Sequence, residues 1–350
     1  MFSRVMNIVE VSRERANAGH LPLHRQLAEM LVLQLRYSIG PGFYHAARLW
    51  RRDIPFRDKT RYLVGHRYLK AVGKINNPAY HKLSQHKVAE KALLTMFSIP
   101  TTEFHGYYHP YGGRTTDGSP LTSADEFLAL VEKHAIPAMA IKMPEGSCST
   151  GFDIIDMAGI NGGRIFSRSL NREITAADYL AQKCREFKDQ GIVMEAVIHQ
   201  HPDMAALNDS SVNTVRMWVR QSGPEVRVKS ALLKIGHPES LADTSTTGGL
   251  VVPVRLSDGT PGKPHFRPPP AGEMSGERFD RRLLEGFTLP RWQESLELAR
   301  SCLPVFPNLD FAGMDVAITA DGPLIVELNV QPDCRHAARV GIPTADLLGA

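Results

Sequence analysis

Residues 310–334 read DFAGMDVAITADGPLIVELNVQPDC. Apolar runs flank Ala320, Asp321 and Gly322, with Pro323 just after, a turn signal that joins two strands in a β-hairpin. A three-residue loop puts Thr319 opposite Pro323. Counting back, Asp315 then falls opposite Glu327, with Asn329 two residues on along the same face. The other face collects Met314, Val316 and Ile318 against Leu328, Val326 and Leu324, an apolar set suited to a core. A slip of one residue would separate the carboxylates and mix the faces.

Opposed carboxylates with β-carbons about 5 Å apart repel unless something neutralises them. A hard divalent cation, Mg²⁺ or Mn²⁺, would do so through carboxylate and amide oxygens, with phosphate completing its shell. A hairpin with one solvated face also accommodates acids, and these residues alone do not separate the two readings.

The 350 residues leave room for two or three domains, and 43% hydrophobic with 22% charged residues is the composition of a soluble globular chain. No uninterrupted apolar run approaches the length of a membrane span, and the first twenty residues lack a long apolar segment with a small-residue cleavage site. The expected setting is cytoplasmic. Four cysteines, widely spaced and without CxxC, point to free thiols rather than zinc. Charge is uneven: residues 1–90 hold 16 Lys and Arg against 6 Asp and Glu. That basic region is a solvated helix face or a dock for an acidic partner or a membrane surface; no motif of a specific nucleic-acid binder accompanies it.

Residues from about 5 to 80 read as helices, among them HRQLAEMLVLQLRYSIG, periodic and closed by glycine. From Lys87 a helix leads into a mixed α/β rhythm: strands at AMAIKM, FDIIDM, RIFSRS and GIVMEAVI, and a helix at TAADYLAQKCREFKDQ. TVRMWVR, EVRVKSALLKIG and GLVVPVRL are strands of a mainly antiparallel sheet. Residues 256–278 form a Pro/Gly-rich excursion, and RWQESLELARSCLPVF is a helix returning to the hairpin.

Residues 146–151, GSCSTG, begin like a phosphate loop, but Phe152 and Asp153 stand where that motif needs Lys and Ser or Thr, which excludes a P-loop NTPase. A lysine comes earlier instead, Lys142, in the strand that runs into the turn. A strand lysine aimed at a turn of backbone N–H groups can meet phosphate, although an exposed strand lysine is also ordinary.

The order of pieces is more specific: Lys87, Pro100 thirteen residues on, Lys142 and its loop, Glu195 closing VMEAVI, then the acidic hairpin. On HKVAEKALLTMFSIPTTE, AIKMPEGSCSTGFDII, VMEAVI and GMDVAITADGPLIVELNVQP the chain resembles the ATP-grasp superfamily over about residues 80–340. HQHPDMAALNDSSVNTVRMWV and TGGLVVPV look like its sugar-transfer-associated or α-L-glutamate-ligase-related branch.

The resemblance implies an α+β ATP-grasp fold whose two α+β subdomains clasp ATP: a helical basic region 1–85, a lid subdomain 86–197, and a C-terminal subdomain 198–350 with the metal site. Lys87 and Lys142 would contact phosphates, with Gly146, Ser147, Ser149, Thr150 and Gly151 as the lid loop. Glu195, Ala196 and Val197 would be the adenine-side hinge and Asp203 a candidate for the ribose. Asp315, Glu327 and Asn329 would hold two Mg²⁺ (or Mn²⁺) ions. Many relatives carry arginine two residues before the first metal acid, where this chain has Gly313; Arg216 is taken to replace it, catalytic together with Lys142.

The implied reaction is ATP-dependent ligation of a small-molecule carboxylate to an amine or thiol through an acyl-phosphate. A hydroxyl-phosphorylating kinase and a nucleotide-binding accessory protein of a polysaccharide or secondary-metabolite pathway are the alternatives. Arg216 and Arg335, or the basic N-terminal surface, would select an anionic substrate. A homo-oligomer is left open.

Overall fold

The computed structural model describes residues 2–146, 149–157, 163–243, 249–266 and 279–349. Ser147, Cys148 and the excursion from residue 267 to 278 lie outside the described residues. Among the described residues two antiparallel sheets carry the architecture.

The first sheet is built from β1 (Phe104–Tyr108), β2 (Arg114–Thr115), β3 (Ala138–Lys142), β4 (Asp153–Asp156), β5 (Arg164–Ser167), β6 (Arg172–Thr175) and β7 (Ile192–Ala196), in the order β2-β1-β7-β3-β4-β5-β6. The helices Ala124–His134 and Ala176–Glu186 bury Phe127, Val131, Tyr179 and Leu180 with Ile141, Ile155 and Met194 of the strands. Ser123 and Glu126 form a capping box that fixes the start of the first helix.

The second sheet holds β8 (Thr214–Ser222), β9 (Glu225–Ile235), β10 (Leu250–Val254), β11 (His265–Phe266), β12 (Phe311–Ile318) and β13 (Pro323–Asn329), in the order β11-β10-β9-β8-β12-β13. β12 is buried along its whole length because β8 and β13 flank it. Trp292, Leu296 and Ala299, spaced along the helix Trp292–Cys302, cover one face with Met217, Met314 and Val316. The helix Lys87–Met96 also sends Leu94 into this core, so it packs with the second sheet although the sequence places it at the head of the first subdomain. On the opposite face Trp218, Leu232 and Phe311 meet Tyr68 and Val72 of the N-terminal region and Leu347 near the C-terminus.

The hairpin register departs from expectation halfway. Gly313 faces Asn329, Met314 faces Leu328 and Asp315 faces Glu327, as spacing alone dictates, but Val316 faces Ile325 and Ile318 faces Pro323. A β-bulge absorbs one residue at Val326, and Thr319 N–H closes the turn on Gly322 O, making the loop longer than three residues. Ile325 is therefore the core residue in place of Leu324 and Val326. At the bulge the strand meets a neighbour that spacing cannot see: Ile325 N–H donates to Pro100 O, ahead of β1, at 2.8 Å.

The strand β6 and the helix Ala124–His134 add to the sequence reading. The helix Leu23–Tyr37 ends on Ser38 in the left-handed region (φ 59°), where glycine was expected; Gly40 instead begins the next helix.

Asn76 joins the helical region to the second sheet. Fully buried, it donates through Nδ2 to Phe311 O (2.7 Å) and Val330 O (2.8 Å) and accepts at Oδ1 from the N–H groups of Asp310 and Phe311 (both 2.9 Å). Asn76→Ala leaves those backbone groups unsatisfied and is expected to cost about 3 kcal/mol. A thermal midpoint lowered by several degrees checks this; an unchanged midpoint refutes it.

Candidate functional site

The cavity lies between the two sheets and has a volume of about 830 Å³. Lys87, Lys142, Gly146, Ser149, Thr150, Ala196, Val197, Arg216, Asp315, Glu327 and Asn329 all line it. Three of the residues expected there do not. Glu195 is fully buried beneath the wall, Gly151 supports the loop from behind, and Asp203 sits exposed on the short helix Pro202–Ala205 beside His201.

Asp315 is held from the neighbouring strands. Arg216, directly across on β8, donates through Nε to Oδ1 (2.6 Å) and Nη2 to Oδ2 (2.8 Å), and Lys234 of β9 reaches Oδ2 at 3.2 Å. Lys234 also meets Asp243 at 3.2 Å, whose carboxylate accepts from Thr214. Burial pushes the Asp315 carboxyl up, but Arg216 and then Lys234 outweigh it and hold it well below the usual carboxylate range. Arg216 also explains Gly313. A β-carbon there would lie 2.7 Å from Pro332 Cβ and 3.1 Å from Arg216 Cδ, so the arginine stem fills the space a side chain at 313 would need.

The first sheet presents its lysine in a comparable way. β7 lies between β1 and β3, which puts Glu195 beside Lys142; Lys142 Nζ to Glu195 Oε2 is 2.5 Å. Lys91, one helical turn beyond Lys87, approaches Glu195 Oε1 at 3.7 Å and donates to Thr101 Oγ1 at 2.5 Å and to Val326 O at 3.5 Å. Burial pushes the Glu195 carboxyl up, and Lys142 and Lys91 more than offset it. The residue expected to serve as a hinge through its backbone is thus a buried anchor for two lysines, with Ala196 and Val197 left on the cavity wall.

Glu90 completes the joint. Its Oε1 accepts from Leu328 N–H at 2.5 Å, between Glu327 and Asn329. Burial, opposed by Lys91 and reinforced by Glu327, pushes its carboxyl up to about 8.

The loop after β3 is tied at both ends. Lys87 donates from its backbone N–H to Pro144 O (3.0 Å) and from Nζ to Gly146 O (3.2 Å). At the far end Lys183 Nζ donates to Gly151 O at 3.0 Å. Gly151 has φ 68°, and a β-carbon there would lie 2.3 Å from the Phe187 ring, so only glycine fits.

Lys91, Glu90, Lys234, Asp243 and His336 were missed in the sequence. Lys91 was readable from its four-residue spacing after Lys87, and Lys234 as the one charge within ALLKI. His336, on the helix Cys334–Arg339, lines the cavity; burial and then Arg216 and Lys234 push its imidazole down to about 3, so it is neutral. Arg335 also lines the cavity and remains largely exposed.

Asp315, Glu327 and Asn329 bring hard oxygens to one wall. Among the described residues three N–H groups occupy Asp315, leaving a lone-pair site on Oδ1, and Glu327 accepts one bond, from Asn329 Nδ2 at 2.9 Å. Among the described residues no three His, Cys, Asp or Glu side chains converge as a metal cage. The set fits a hard divalent cation that takes its remaining ligands from phosphate and water.

The cavity between the two sheets thus brings Lys87, Lys142, Arg216 and Lys234 together with the carboxylates of Asp315 and Glu327. Residues 69–339 match the model of the sugar-transfer-associated ATP-grasp family, and the chain belongs to that family. Comparison with curated protein sequences finds no match. Among solved structures the chain is similar to the D-alanine–D-alanine ligase from Coxiella burnetii (12% identity, 76% of this chain and 56% of that one, TM-score 0.41). It is also similar to the carboxyaminoimidazole ribonucleotide synthase from Aspergillus clavatus complexed with ATP (13%, 79% and 57%, 0.42). The chain thus spans a little over half the length of each.

Two outcomes follow. Glu195→Gln leaves buried Lys91 and half-buried Lys142 without their counter-charge and is expected to destabilise by about 3 kcal/mol; thermal unfolding with and without nucleotide measures it. Because the folded-state carboxyl of Glu90 sits above its unfolded value, its contribution to stability is full below the usual carboxylate range and is lost as pH rises towards about 8. Wild type should lose thermal stability between pH 5 and pH 8 by an increment absent from Glu90→Gln; parallel profiles would refute this.

Proposed function

We propose that the protein is an ADP-forming ligase that joins a small-molecule carboxylate to an amine or thiol. The supporting observation is the convergence of Lys87, Lys142 and Arg216 with Asp315, Glu327 and Asn329 on one cavity. In this reading residues 86–197 close over ATP against residues 198–350. Lys87 and Lys142 take the phosphates, the wall from Ala196 to Val197 takes the adenine, and Asp203 is set aside because it lies off the wall.

A substrate carboxylate oxygen attacks the γ-phosphorus and the bond to ADP breaks, leaving an acyl-phosphate; an amine or thiol then attacks the acyl carbon and phosphate departs. Positioning and electrostatics account for the rate. Glu195 keeps Lys142 aimed. Asp315 consumes two N–H donors of Arg216, leaving three for a developing phosphoryl charge. Asp315, Glu327 and Asn329 would hold one or two Mg²⁺ or Mn²⁺ ions, which when bound neutralise charge on the phosphate oxygens. Lys87 and Lys183 hold Gly146 and Gly151 beside the phosphate end of the site.

The test is ADP release with Mg²⁺-ATP, pooled organic and amino acids and hydroxylamine. Acid-dependent ADP release with a hydroxamate is expected, reduced at least about 100-fold in Glu327→Ala. ADP release without hydroxamate would replace the ligase by a kinase, and ATP binding without turnover on any acid would favour an accessory role.

A further inference from the structure

The helix Leu23–Tyr37 turns an apolar crest outward. Its inner face buries Gln26, Glu29, Met30 and Leu33, and the opposite face carries His24, Leu27, Ala28, Leu31 and Leu35 at three- and four-residue intervals, all exposed. Leu31 is 61% and Leu35 75% exposed, with Leu27 and Val32 at 37% each. A run of leucines on the water-facing side of a well-packed helix is not a core device, because the core of this region lies on the other side with Tyr44, Leu49 and Tyr62.

The exposed charge on the crest's own helix has one sign. The helix holds a single acid, Glu29, and it is buried, with Lys59 Nζ at 2.5 Å and Tyr44 Oη at 3.1 Å. Its exposed polar surface offers His24, Arg25 and Arg36. At its C-terminal end Arg67 lies over the Tyr37 ring at 5.4 Å, bringing in the helix Gly65–Gly73, which exposes His66, Leu69 and Lys70 and contains no acid. The helix Phe2–Asn17 is closer to balance, with Glu10 and Glu14 against Arg13 and Arg15.

We propose that this crest docks the protein onto an anionic lipid surface, the leucines entering the interface and the flanking arginines and lysine meeting headgroup phosphates. Charge separates this occupant from a second copy: a two-fold axis through the crest would bring Arg25 and Arg36 of both copies to one interface, like charges that an anionic headgroup layer neutralises. A bilayer needs no matching partner surface and rewards a shallow apolar stripe flanked by cations. Among the described residues no helix is long and apolar enough to cross a membrane, so the helix would lie along the surface.

The experiment is co-sedimentation of the full chain with vesicles of phosphatidylcholine alone or with added phosphatidylglycerol, at low and high salt, alongside light scattering of the protein without lipid. Binding to the anionic vesicles only, weakened by salt and reduced at least tenfold in Leu31→Glu/Leu35→Glu with circular dichroism unchanged, is the expected result. Absence of binding by the wild type, or equal binding to both vesicles, overturns the proposal without reference to any variant. A wild-type dimer that the double variant converts to monomer overturns it in favour of a second copy.

Discussion

Glu195 is the constraint on which the rest of the site depends. A carboxylate with no solvent access must be neutralised where it stands, and Lys142 and Lys91 do this from two different elements. Because Lys91 also bonds Thr101 and Val326 O, the same ion pair fastens the helix Lys87–Met96, the first sheet and the hairpin of the second to one another. Lys142 faces the cavity because its partner cannot move.

The second sheet solves the same problem differently. Asp315 and Glu327, opposed across the hairpin, would repel, and Arg216 and Lys234 from the next two strands supply the compensating charge. The bulge at Val326 lets this half of the hairpin keep its charged face towards the cavity while Ile325 fills the core. Glu90 holds the strand at Leu328, between the two residues whose oxygens face the cavity. Lys142 and Asp315 are thus each set by partners from neighbouring strands, an arrangement that preorganises the site before any ligand arrives.

Much of this was legible. The turn signal and alternation around residues 310–334 placed Asp315 opposite Glu327, and the order of lysine, loop and hairpin pointed to the ATP-grasp family to which the chain belongs. What escaped the sequence lies outside the local pattern. The Glu195 side chain was not read as an anchor for two lysines because nothing in VMEAVI reveals that β7 runs between β1 and β3. Asp203 was a candidate from its distance along the chain, whereas Pro202 starts a short helix that carries it to the surface.

Period and turn chemistry act between residues a few positions apart, so the sequence by itself determined the hairpin, which acids share its face, and most of the strands and amphipathic helices, though not β1, β2, β6 or the helix Ala124–His134. Strand order, the bulge and the pairings of Arg216 with Asp315 and Lys91 with Glu195 join residues 99 and 104 positions apart. Only the tertiary structure decided these, because buried charge is compensated by whatever the fold brings within a few ångströms, and that neighbour leaves no periodic trace in the chain.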